Sequence, residues 1–455
     1  MKRAVLILIL STGVCSAQQI TGRVLDYEDK TPLENVTIQV MGSDQGTVSD
    51  AQGLYIFPKT DKPTVADSLQ FSSIGYTTRT IAFTDLQKAK FVTLLESGVE
   101  NLNEVAIRSR SAFFEQVPFS KLASLKKAIS NFGAVIVNDK IYAVGGDISA
   151  TEDIIKKAWM KVGNKEIMKK SDLIDELRKD TSWEDYDEHL QVYDIATDTW
   201  VQPDITFNKR AYHNINYLNG TLFIMGGKRF GKRKQMEYLD SEIERYDITK
   251  ARRTVDKSNP HQAVNFASVA YKNTLVVMGG STSEDEQGTK KYSSASHLFD
   301  LESGFWYELA DMPKAKETQA VLVNDRIYLL GGFKNEPLSG IERFDLITGE
   351  WSTEGDLFTA VGDPAITSDA TTIYMYYKGN LCTYNTINKM MKLYHIGLYL
   401  EGAELLYRDN TLYLLGGMQS TAFREFPSSN LYSINLSDLR KTKVKNYKNL
   451  EVAQQ

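Results

Sequence analysis

Apolar and polar residues alternate in short runs along most of the chain, and turn residues separate the runs. In the first part, the apolar residues Ile20, Val24, Val36, Ile38 and Val40 belong to two such runs, with a polar stretch between them. A period of two predicts strands with one buried face. The first part of the chain therefore predicts a small β-sandwich.

A second pattern repeats after Lys126. An apolar run that ends in a Gly-Gly pair recurs at residues 141–146, 222–227, 275–280, 327–332 and 412–417. A related run at residues 373–379 has lost the first glycine of the pair. A unit of this kind leaves an apolar face that only a neighbouring unit can bury. We therefore expect six tandem units that close into one domain.

Each of three units also contains an aromatic residue followed seven positions later by a tryptophan. These pairs are Tyr193 with Trp200, Phe299 with Trp306, and Phe344 with Trp351. In the other units the same places are taken by Tyr246 with Arg253, Tyr384 with Met391, and Ile434 with Lys441. We expect every unit to hold its own four strands, from Ala128–Ile205 in the first to Glu401–Tyr447 in the last. The sequence does not decide whether residues 109–125 donate a strand that closes the ring.

The glycine pairs and the aromatic spacing together resemble the kelch repeat. That resemblance implies an all-β fold in which residues 128–449 form a six-bladed β-propeller of four-stranded antiparallel blades. Glycine permits close approach of strands and tryptophan fills space between blades, so both are expected to be structural. The structural positions are Gly145, Gly146, Gly226, Gly227, Gly279, Gly280, Gly331, Gly332, Gly416, Gly417, Trp200, Trp306 and Trp351.

The first part of the chain resembles the carboxypeptidase regulatory-like domain, whose fold is a transthyretin-like β-sandwich. The resemblance rests on Ile20–Val24, Pro32–Val36, Gly46–Asp50, Gly53–Tyr55 and Ile74–Tyr76. It covers residues 18–108, with a last strand expected at Leu102–Ile107. The resemblance implies an envelope location and a spacer or docking role, and it implies no catalysis.

The N-terminus has the pattern of a secretory signal peptide. Lys2 and Arg3 precede an apolar run, and small residues then end at Ala17, where we expect cleavage. The apolar run is too short to span a bilayer, and no later stretch of about 20 apolar residues follows, so we expect no transmembrane segment. Cys15 raises the question of a lipid anchor, but Val14 stands where a small residue is expected. We expect residues 1–17 to be removed and the protein to be exported, either periplasmic or associated with the outer membrane and cell surface.

Charge and composition narrow the candidate functions. The chain has 53 basic and 58 acidic residues, a net charge of -5, so no overall positive field attracts nucleic acid. The five histidines are scattered through the units, and we predict no metal site and no cofactor. Outside the signal peptide, Cys382 is the one cysteine, so no internal disulfide is expected.

Residues 109–127 are expected to be a linker, and residues 450–455 are expected to be a tail. The sequence leaves the oligomeric state open.

Long loops between the second and third strands should emerge on one face of the propeller, at residues 147–188, 228–241, 281–295 and 418–429. We place any ligand site on this face, because recognition usually resides on long loops of a rigid scaffold. The first loop is expected to hold a small helix, capped by Thr151, with Ile155, Ala158, Trp159 and Val162 on one side. The acidic run from Asp180 to Glu188 can bind calcium or form a solvated surface, and we favour the second interpretation.

The basic loop 228–234 suggests a site for an acidic glycan or a carboxylate. No other unit carries an arginine and a histidine at the places of Arg210 and His213, which we expect near the channel mouth. The candidate ligand-binding residues are therefore Arg210, His213, Lys228, Arg229, Arg233 and Lys234.

We expect a non-catalytic binding protein of the bacterial cell envelope that holds a protein or a glycan on the long-loop face. The alternative is a carbohydrate-active enzyme resembling the kelch-type sialic acid mutarotases. Arg210, His213 and the basic loop are the residues that support this alternative.

Overall fold

The structure is a computed structural model, and it divides into two compact units, Met1–Arg110 and Ser111–Gln455. It describes residues 20–27, 29–41, 46–57, 63–64, 67–73, 76–96, 113–156, 174, 182–231, 236–285, 287–422 and 424–450. The predicted signal peptide, the predicted strand at Leu102–Ile107 and most of the predicted tail lie outside these residues. No helix of the described residues is long and apolar enough to cross a membrane.

The first unit is a β-sandwich of two sheets. One sheet has the strand order Leu54–Phe57, Ile20–Asp26, Val92–Leu95, and the other has the order Gly46–Val48, Thr37–Val40, Ser68–Ser72, Arg79–Ala82. A helix, Phe83–Lys88, follows the last of these strands. Val24, Val36, Ile38 and Val40 lie in one buried cluster, and Ile20 packs against it. The alternation in the sequence thus predicted the inward-facing side chains correctly.

The described residues of the second unit form six main antiparallel sheets, here called blades 1 to 6. Blade 1 consists of the strands Gly133–Val137, Lys140–Val144, Leu190–Asp194 and Thr199–Val201. Blade 2 consists of Asn214–Leu218, Thr221–Met225, Ile243–Asp247 and Arg252–Asp256. Blade 3 consists of Ala267–Tyr271, Thr274–Met278, Ser296–Asp300 and Trp306–Glu308. Blade 4 consists of the strands Ala320–Val323, Arg326–Leu330, Glu336–Asp345 and Glu350–Val361. Blade 5 consists of Ala365–Ser368, Thr372–Tyr377, Asn380–Asn385, Met390–His395 and Asn446–Asn449. Blade 6 consists of Glu401–Arg408, Thr411–Ser420, Leu431–Asn435 and Ser120–Lys121.

The blades form a closed ring. The first strand of each blade contacts the first strand of the next, and that of blade 6 contacts that of blade 1. A cluster of buried apolar side chains joins every consecutive pair of blades, including the sixth and the first. Each blade therefore buries its apolar faces against its two neighbours, as in a β-propeller, and the predicted all-β class is confirmed.

The glycine pairs connect neighbouring blades. The N–H of the second glycine donates to a backbone carbonyl just before the first strand of the next blade, as in Gly146 to Arg210 at 2.9 Å. The other bonds run from Gly227 to Ala263, Gly280 to Lys316, Gly332 to Val361, and Gly417 to Ile129. Both glycines of a pair have positive φ, 64° at Gly145 and 108° at Gly146, which a side chain would strain.

The seven-residue aromatic spacing is a cross-strand pair. Tyr193 lies opposite Trp200 on the third and fourth strands of blade 1, with ring centroids 5.1 Å apart. The equivalent pairs of Phe299 with Trp306 and of Phe344 with Trp351 have centroids 5.0 Å apart. The indole of Trp200 donates to the Ala123 carbonyl at 2.8 Å, and so ties the blade to the segment that precedes it.

The sixth unit does not hold its own four strands. Leu436–Lys441 is a 3-10 helix rather than a fourth strand, and Asn446–Asn449 pairs with blade 5 instead. The outer strand of blade 6 is Ser120–Lys121, which pairs with Leu431–Asn435, so residues 109–127 are not simply a linker. The pairing satisfies backbone groups that would otherwise form an exposed sheet edge.

Candidate binding face

The long loops are organised as hairpins that contact one another around the channel mouth. The hairpins are Lys228–Phe230 with Glu237–Leu239, Ser281–Glu284 with Lys290–Tyr292, and Phe333–Lys334 with the start of Glu336–Asp345. Loops of different blades also pair: Thr151–Glu152 of blade 1 forms a ladder with Arg424–Pro427 of blade 6. The four loops and these hairpins are called the long-loop face below.

Side chains join the hairpins further. The rings of Tyr186 and Phe230, from blades 1 and 2, contact each other at a tilt of 30°, with centroids 4.5 Å apart. The hydroxyl of Tyr292 accepts a hydrogen bond from the backbone N–H of Asn335 at 3.0 Å, which connects blades 3 and 4. Since neighbouring loops hold each other, the long-loop face is pre-organised.

Backbone hydrogen bonds pass from blade to blade at the mouth of the central channel. Asn131 donates to the Gly402 carbonyl at 2.8 Å, and Tyr212 donates to the Asn131 carbonyl at 2.8 Å. Asn265 donates to Tyr212 at 3.3 Å, and Thr318 donates to Asn265 at 3.0 Å. The first strands of five blades are thereby held at fixed spacing around the opening.

Three lysine–glutamate pairs surround this opening. Lys228 pairs with Glu237 at 2.6 Å, Lys290 with Glu317 at 2.9 Å, and Lys378 with Glu401 at 2.9 Å. Because each ammonium group already has a carboxylate partner, these lysines add little positive charge to the mouth.

Arg210 does not reach the channel mouth, contrary to the sequence-based expectation. Its side chain is fully buried and lies 2.8 Å from Asp240 and 2.7 Å from Glu244. The guanidinium also donates to the Gly226 carbonyl at 3.2 Å. Burial lowers the pKa of Arg210, and the two carboxylates counter this effect. The geometry gives Arg210 a structural role in holding the glycine pair of its own blade.

Blade 4 carries a lysine at the place of Arg210 and Gln319 at that of His213, so the cation recurs there although the pair of arginine and histidine does not. Lys316 and Arg210 both accept, through their backbone carbonyls, the glycine bond from the preceding blade. The Lys316 ammonium donates to the Gly331 carbonyl at 2.6 Å and to Glu342 at 2.7 Å. A buried cation on the first glycine carbonyl is therefore a feature of two blades.

His213 is also buried, with 4% of its surface exposed. Neither ring nitrogen has a hydrogen-bond partner of good geometry among the described residues. Burial, followed by the positive charge of Arg210, lowers the pKa of His213 to about 3. Counting from the glycine-bonded carbonyl, Phe132 and Phe266 take the same place in blades 1 and 3. His213 thus fills a packing position between blades.

The basic loop is only partly described. Arg229 lies 3.4 Å from Asp240 and stacks 5.2 Å over the ring of Tyr238, and Lys228 has its glutamate partner. Arg233 and Lys234 lie outside the described residues. The two described cations are engaged with the protein itself, which leaves little free charge for an acidic ligand.

In the first loop, Thr151 is in a strand and does not cap a helix. The Asp153 carboxylate instead accepts the Lys156 N–H at 2.9 Å, and residues 154–156 are helical. Asp187 of the acidic run is buried and lies 2.6 Å from Lys127. Most of the predicted helix and Asp180 lie outside the described residues. The part of the chain that the structure describes contains no group of three or more His, Cys, Asp or Glu that could hold a metal.

A cavity of about 330 Å³ occupies the central channel, and its lining includes His213, which the sequence had singled out, but the sequence did not point to its carboxyl groups. Its walls are the first strands of all six blades, and its carboxyl groups are Asp363 and Glu404. Neither residue belongs to a glycine pair, an aromatic pair or a long loop. No motif in the sequence indicated them, because they meet only when blades 5 and 6 close on the axis.

Two family models match the chain in complementary parts. The model of the KLHDC2/KLHL20/DRC7 Kelch-repeats domain matches residues 178–375, and that of the CarboxypepD_reg-like domain matches residues 20–107. The chain is a kelch-repeat protein with an N-terminal carboxypeptidase regulatory-like domain. Both resemblances expected from the sequence are confirmed.

Parts of this chain are similar to a kelch-like protein of two mammals and to alpha-scruin. Kelch-like protein 23 of Pongo abelii is 25% identical over 218 residues, which are 37% of this chain and 37% of that protein. The Homo sapiens protein is 25% identical over 178 residues, 38% of this chain and 29% of its own length. Alpha-scruin of Limulus polyphemus is 29% identical over 92 residues, 20% of this chain and 10% of its own. The chain thus spans well under half the length of these relatives.

The solved structure of YjhT resembles the kelch-repeat part. Its TM-score is 0.50 at 13% identity, and the match covers 69% of this chain and 99% of YjhT. At this identity the similarity shows a shared fold. The kelch-repeat domain itself suggests a role in protein interaction.

Proposed function

We propose that this kelch-repeat protein is a non-catalytic binding protein of the bacterial cell envelope, and that its long-loop face binds a protein or a glycan. The observation that carries the proposal is the pairing of loops between blades, above all Thr151–Glu152 with Arg424–Pro427. Tolerated insertions need no such pairing, whereas a pre-organised surface lowers the entropy cost of binding.

Exposed apolar side chains on this face support the proposal. Met236 is 76% exposed, and Trp183 and Tyr238 are about half exposed. Tyr399, which lies against Gly379 in the turn between the second and third strands of blade 5 and so belongs to the same face, is 67% exposed. Aromatic residues and methionine are enriched at the centres of protein interfaces. The face therefore offers apolar anchors surrounded by lysine–glutamate pairs.

The envelope location is part of the proposal and rests on two features of the sequence. One is the pattern of a signal peptide over residues 1–17, and the other is the regulatory-like domain, which matches residues 20–107. In this proposal the β-sandwich is a stem or a docking module, and the propeller presents its long-loop face to the partner.

The alternative, a carbohydrate-active enzyme, has lost its main support. Arg210 and His213 were the residues expected to handle the substrate, and their side chains are 0% and 4% exposed. The similarity to YjhT concerns the fold alone at 13% identity. We therefore keep the binding function as the proposal.

The proposal is tested with matched substitutions on opposite faces. Tyr399→Glu and Met236→Glu place charge on the long-loop face, and Ile347→Glu places it at a turn between third and fourth strands, where Ile347 is 67% exposed, as is Tyr399. Purified chains are cross-linked to envelope extracts and applied to a glycan array. We expect the partner of the wild type to be lost with Tyr399→Glu or Met236→Glu and kept with Ile347→Glu. The reverse pattern would exclude the long-loop face.

A further inference from the structure

A second cavity, of about 590 Å³, lies between blade 5 and the 3-10 helix Leu436–Lys441 of blade 6. Its lining comes from the second, third and fourth strands of blade 5, from the helix, and from Asn410 in the first turn of blade 6. Because that turn joins first and second strands, the cavity opens on the side of the ring away from the long-loop face. Its volume is typical of sites for small ligands. It is called the blade 5–6 pocket below.

A row of side chains crosses blade 5 and forms one wall of this pocket. Tyr374 lies opposite Thr383, and Thr383 lies opposite Lys392. Lys392 in turn lies opposite Tyr447. Directly opposite residues of antiparallel strands share one face of the sheet. The first three of these residues line the pocket, and Tyr447, which is 71% exposed, continues the row at its outer end.

The two cations of the pocket have no carboxylate partner. Lys392 and Arg440 both line it, one from the blade and one from the helix, and neither forms an ion pair or a side-chain hydrogen bond with a residue that the structure describes. The lysines of the long-loop face differ, since Lys228 and Lys290 each have a glutamate partner. Lys392 and Arg440 are exposed and hydrated. An anion that binds between them therefore displaces water and no protein carboxylate.

The described lining contains one carboxylate, and its own turn occupies that group. Asp369 accepts the backbone N–H of Thr371 at 2.8 Å and that of Thr372 at 2.7 Å. It also accepts the hydroxyl of Tyr374 at 2.7 Å. Three donors already share its charge, so the pocket keeps a positive character.

The chain around the pocket is basic although the protein as a whole is acidic. Residues 436–449 contain five lysines and arginines and one acidic residue, whereas the net charge of the chain is -5. Lys443 pairs with Glu115 at 3.2 Å, but Lys441, like Arg440, has no such partner among the described residues. A local positive field of this kind attracts a negatively charged polymer and speeds its association.

The remaining polar groups favour a sugar over a nucleic acid. Amide and hydroxyl side chains line the pocket, namely Asn385, Asn388, Asn410, Thr372, Thr383 and Ser437. Groups that both donate and accept match the hydroxyls of a sugar. A nucleic acid strand is usually held by several aromatic rings on which successive bases stack, whereas the row across blade 5 offers one exposed ring, Tyr447.

We propose that the blade 5–6 pocket binds an acidic sugar within a glycan chain, with Lys392 and Arg440 on the sugar carboxylate. The planar guanidinium of Arg440 can hold a carboxylate through two parallel hydrogen bonds, and the ammonium of Lys392 adds a third. Tyr447 then packs against the next sugar of the chain. The inference goes beyond the proposed function, because the pocket lies away from the long-loop face and does not depend on it.

The probes separate charge from shape and a sugar from other anions. Trigalacturonate is compared with its full methyl ester, which keeps the shape and lacks the charge. Galacturonate tests the single sugar, inorganic phosphate tests a free anion, and a short oligothymidylate tests a nucleic acid. Binding of each to the full chain is measured by isothermal titration calorimetry at low and at moderate salt.

We expect trigalacturonate to bind and its methyl ester to fail. Lys392→Gln and Arg440→Gln should each weaken binding about fivefold or more, since each removes a charge-assisted hydrogen bond. Tyr447→Ala should weaken binding of trigalacturonate and leave that of galacturonate unchanged, because the ring contacts the second sugar.

The matched control is Lys448→Gln, which removes the same charge from the residue beside Tyr447. The Lys448 ammonium lies on the other face of the sheet, where it donates to the Leu357 carbonyl at 3.2 Å. Binding should therefore stay within a factor of about two of the wild type. Thermal denaturation confirms that the variants are folded, and Arg440→Gln serves if Lys392→Gln is not.

Four results overturn the sugar site. They are equal binding of trigalacturonate and its ester, equal losses in Lys392→Gln and Lys448→Gln, and binding of oligothymidylate or of phosphate as tight as that of trigalacturonate. If trigalacturonate fails to bind while Met236→Glu removes a partner, the sugar site fails and the long-loop face stands. If Lys392→Gln loses trigalacturonate while Met236→Glu keeps every partner, the sugar site stands and the long-loop face fails.

Discussion

The imidazole of His213 lies against Gly145 of the preceding blade, so that a Cβ added at Gly145 would meet His213 Cε1 at 3.1 Å. Phe132 lies in the same way against Gly416, and Phe266 against Gly226. In each of blades 1 to 3, one ring therefore fills the space that the first glycine of the preceding blade leaves open. In blade 2 that ring is polar, and its two nitrogens have no partner of good geometry among the described residues.

His213→Phe should stabilise the propeller at pH 7. Phenylalanine removes two buried polar atoms and keeps a planar ring of suitable size, as Phe132 and Phe266 show. We expect a gain of about 1–2 kcal/mol in the free energy of unfolding, measured by urea denaturation. The reverse substitution, Phe132→His, should destabilise by a similar amount. A loss of stability in His213→Phe would show that the imidazole has a partner that matters.

The advantage of His213→Phe over the wild type should grow as the pH falls. The pKa of His213 is lowered from 6.5 to about 3 in the folded protein. A lowered histidine pKa means that the unfolded chain takes up the proton first, so the wild type loses stability as the pH falls through about 6.5. Between pH 7.5 and pH 5 the difference between variant and wild type should increase by about 2 kcal/mol.

The difference is the quantity to measure, because other groups change the pH profile of the wild type. Burial raises the pKa of Asp363 to about 6 and of Glu404 to about 8, and these shifts favour the folded state at low pH. Both contributions cancel between wild type and His213→Phe. A difference that stays constant from pH 7.5 to pH 5 would contradict a neutral, buried His213.

Arg210→Met should be strongly destabilising. The substitution leaves Asp240 and Glu244, both fully buried, without their central cation. Breaking a buried ion pair from one side typically costs about 3–5 kcal/mol. Lys228→Met, at a partly exposed pair, should cost about 1 kcal/mol or less. Arg210→Lys should restore part of the loss, since Lys316 holds the equivalent place in blade 4; equal effects of Arg210→Met and Lys228→Met would refute the structural role.

The sequence predicted the features that depend on local repetition. Alternation placed Val36 and Ile38 in the sandwich core, and the aromatic spacing matched the register of Tyr193 with Trp200. It did not predict the burial of Arg210, whose partner Glu244 lies 34 residues further along the chain.

The positions of the channel carboxyls and of the outer strand of blade 6 also depend on contacts between residues that are far apart in the sequence. Asp363 and Glu404 carry no motif and meet across two blades. Ser120–Lys121 is a two-residue strand, too short to show a period in the sequence. The pattern of a single sequence reveals the repeated unit. It does not reveal which residues from distant positions become neighbours when the ring closes.

Leu122→Pro should weaken the closure of the ring. The backbone N–H of Leu122 donates to the Leu431 carbonyl at 2.9 Å, directly after the strand Ser120–Lys121 that completes blade 6. Proline removes this donor and restricts the residue before it, whereas Leu122→Ala keeps the donor and removes only the side chain. We expect Leu122→Pro to lower the thermal midpoint clearly more than Leu122→Ala, and to speed hydrogen exchange of the Leu431–Asn435 amides selectively.

Because blades 5 and 6 share one apolar cluster, the loosening should spread to the strand Met390–His395 before it reaches blade 3. Uniform exchange over all blades, or equal midpoints for the two variants, would show that the ring is closed by side-chain packing alone.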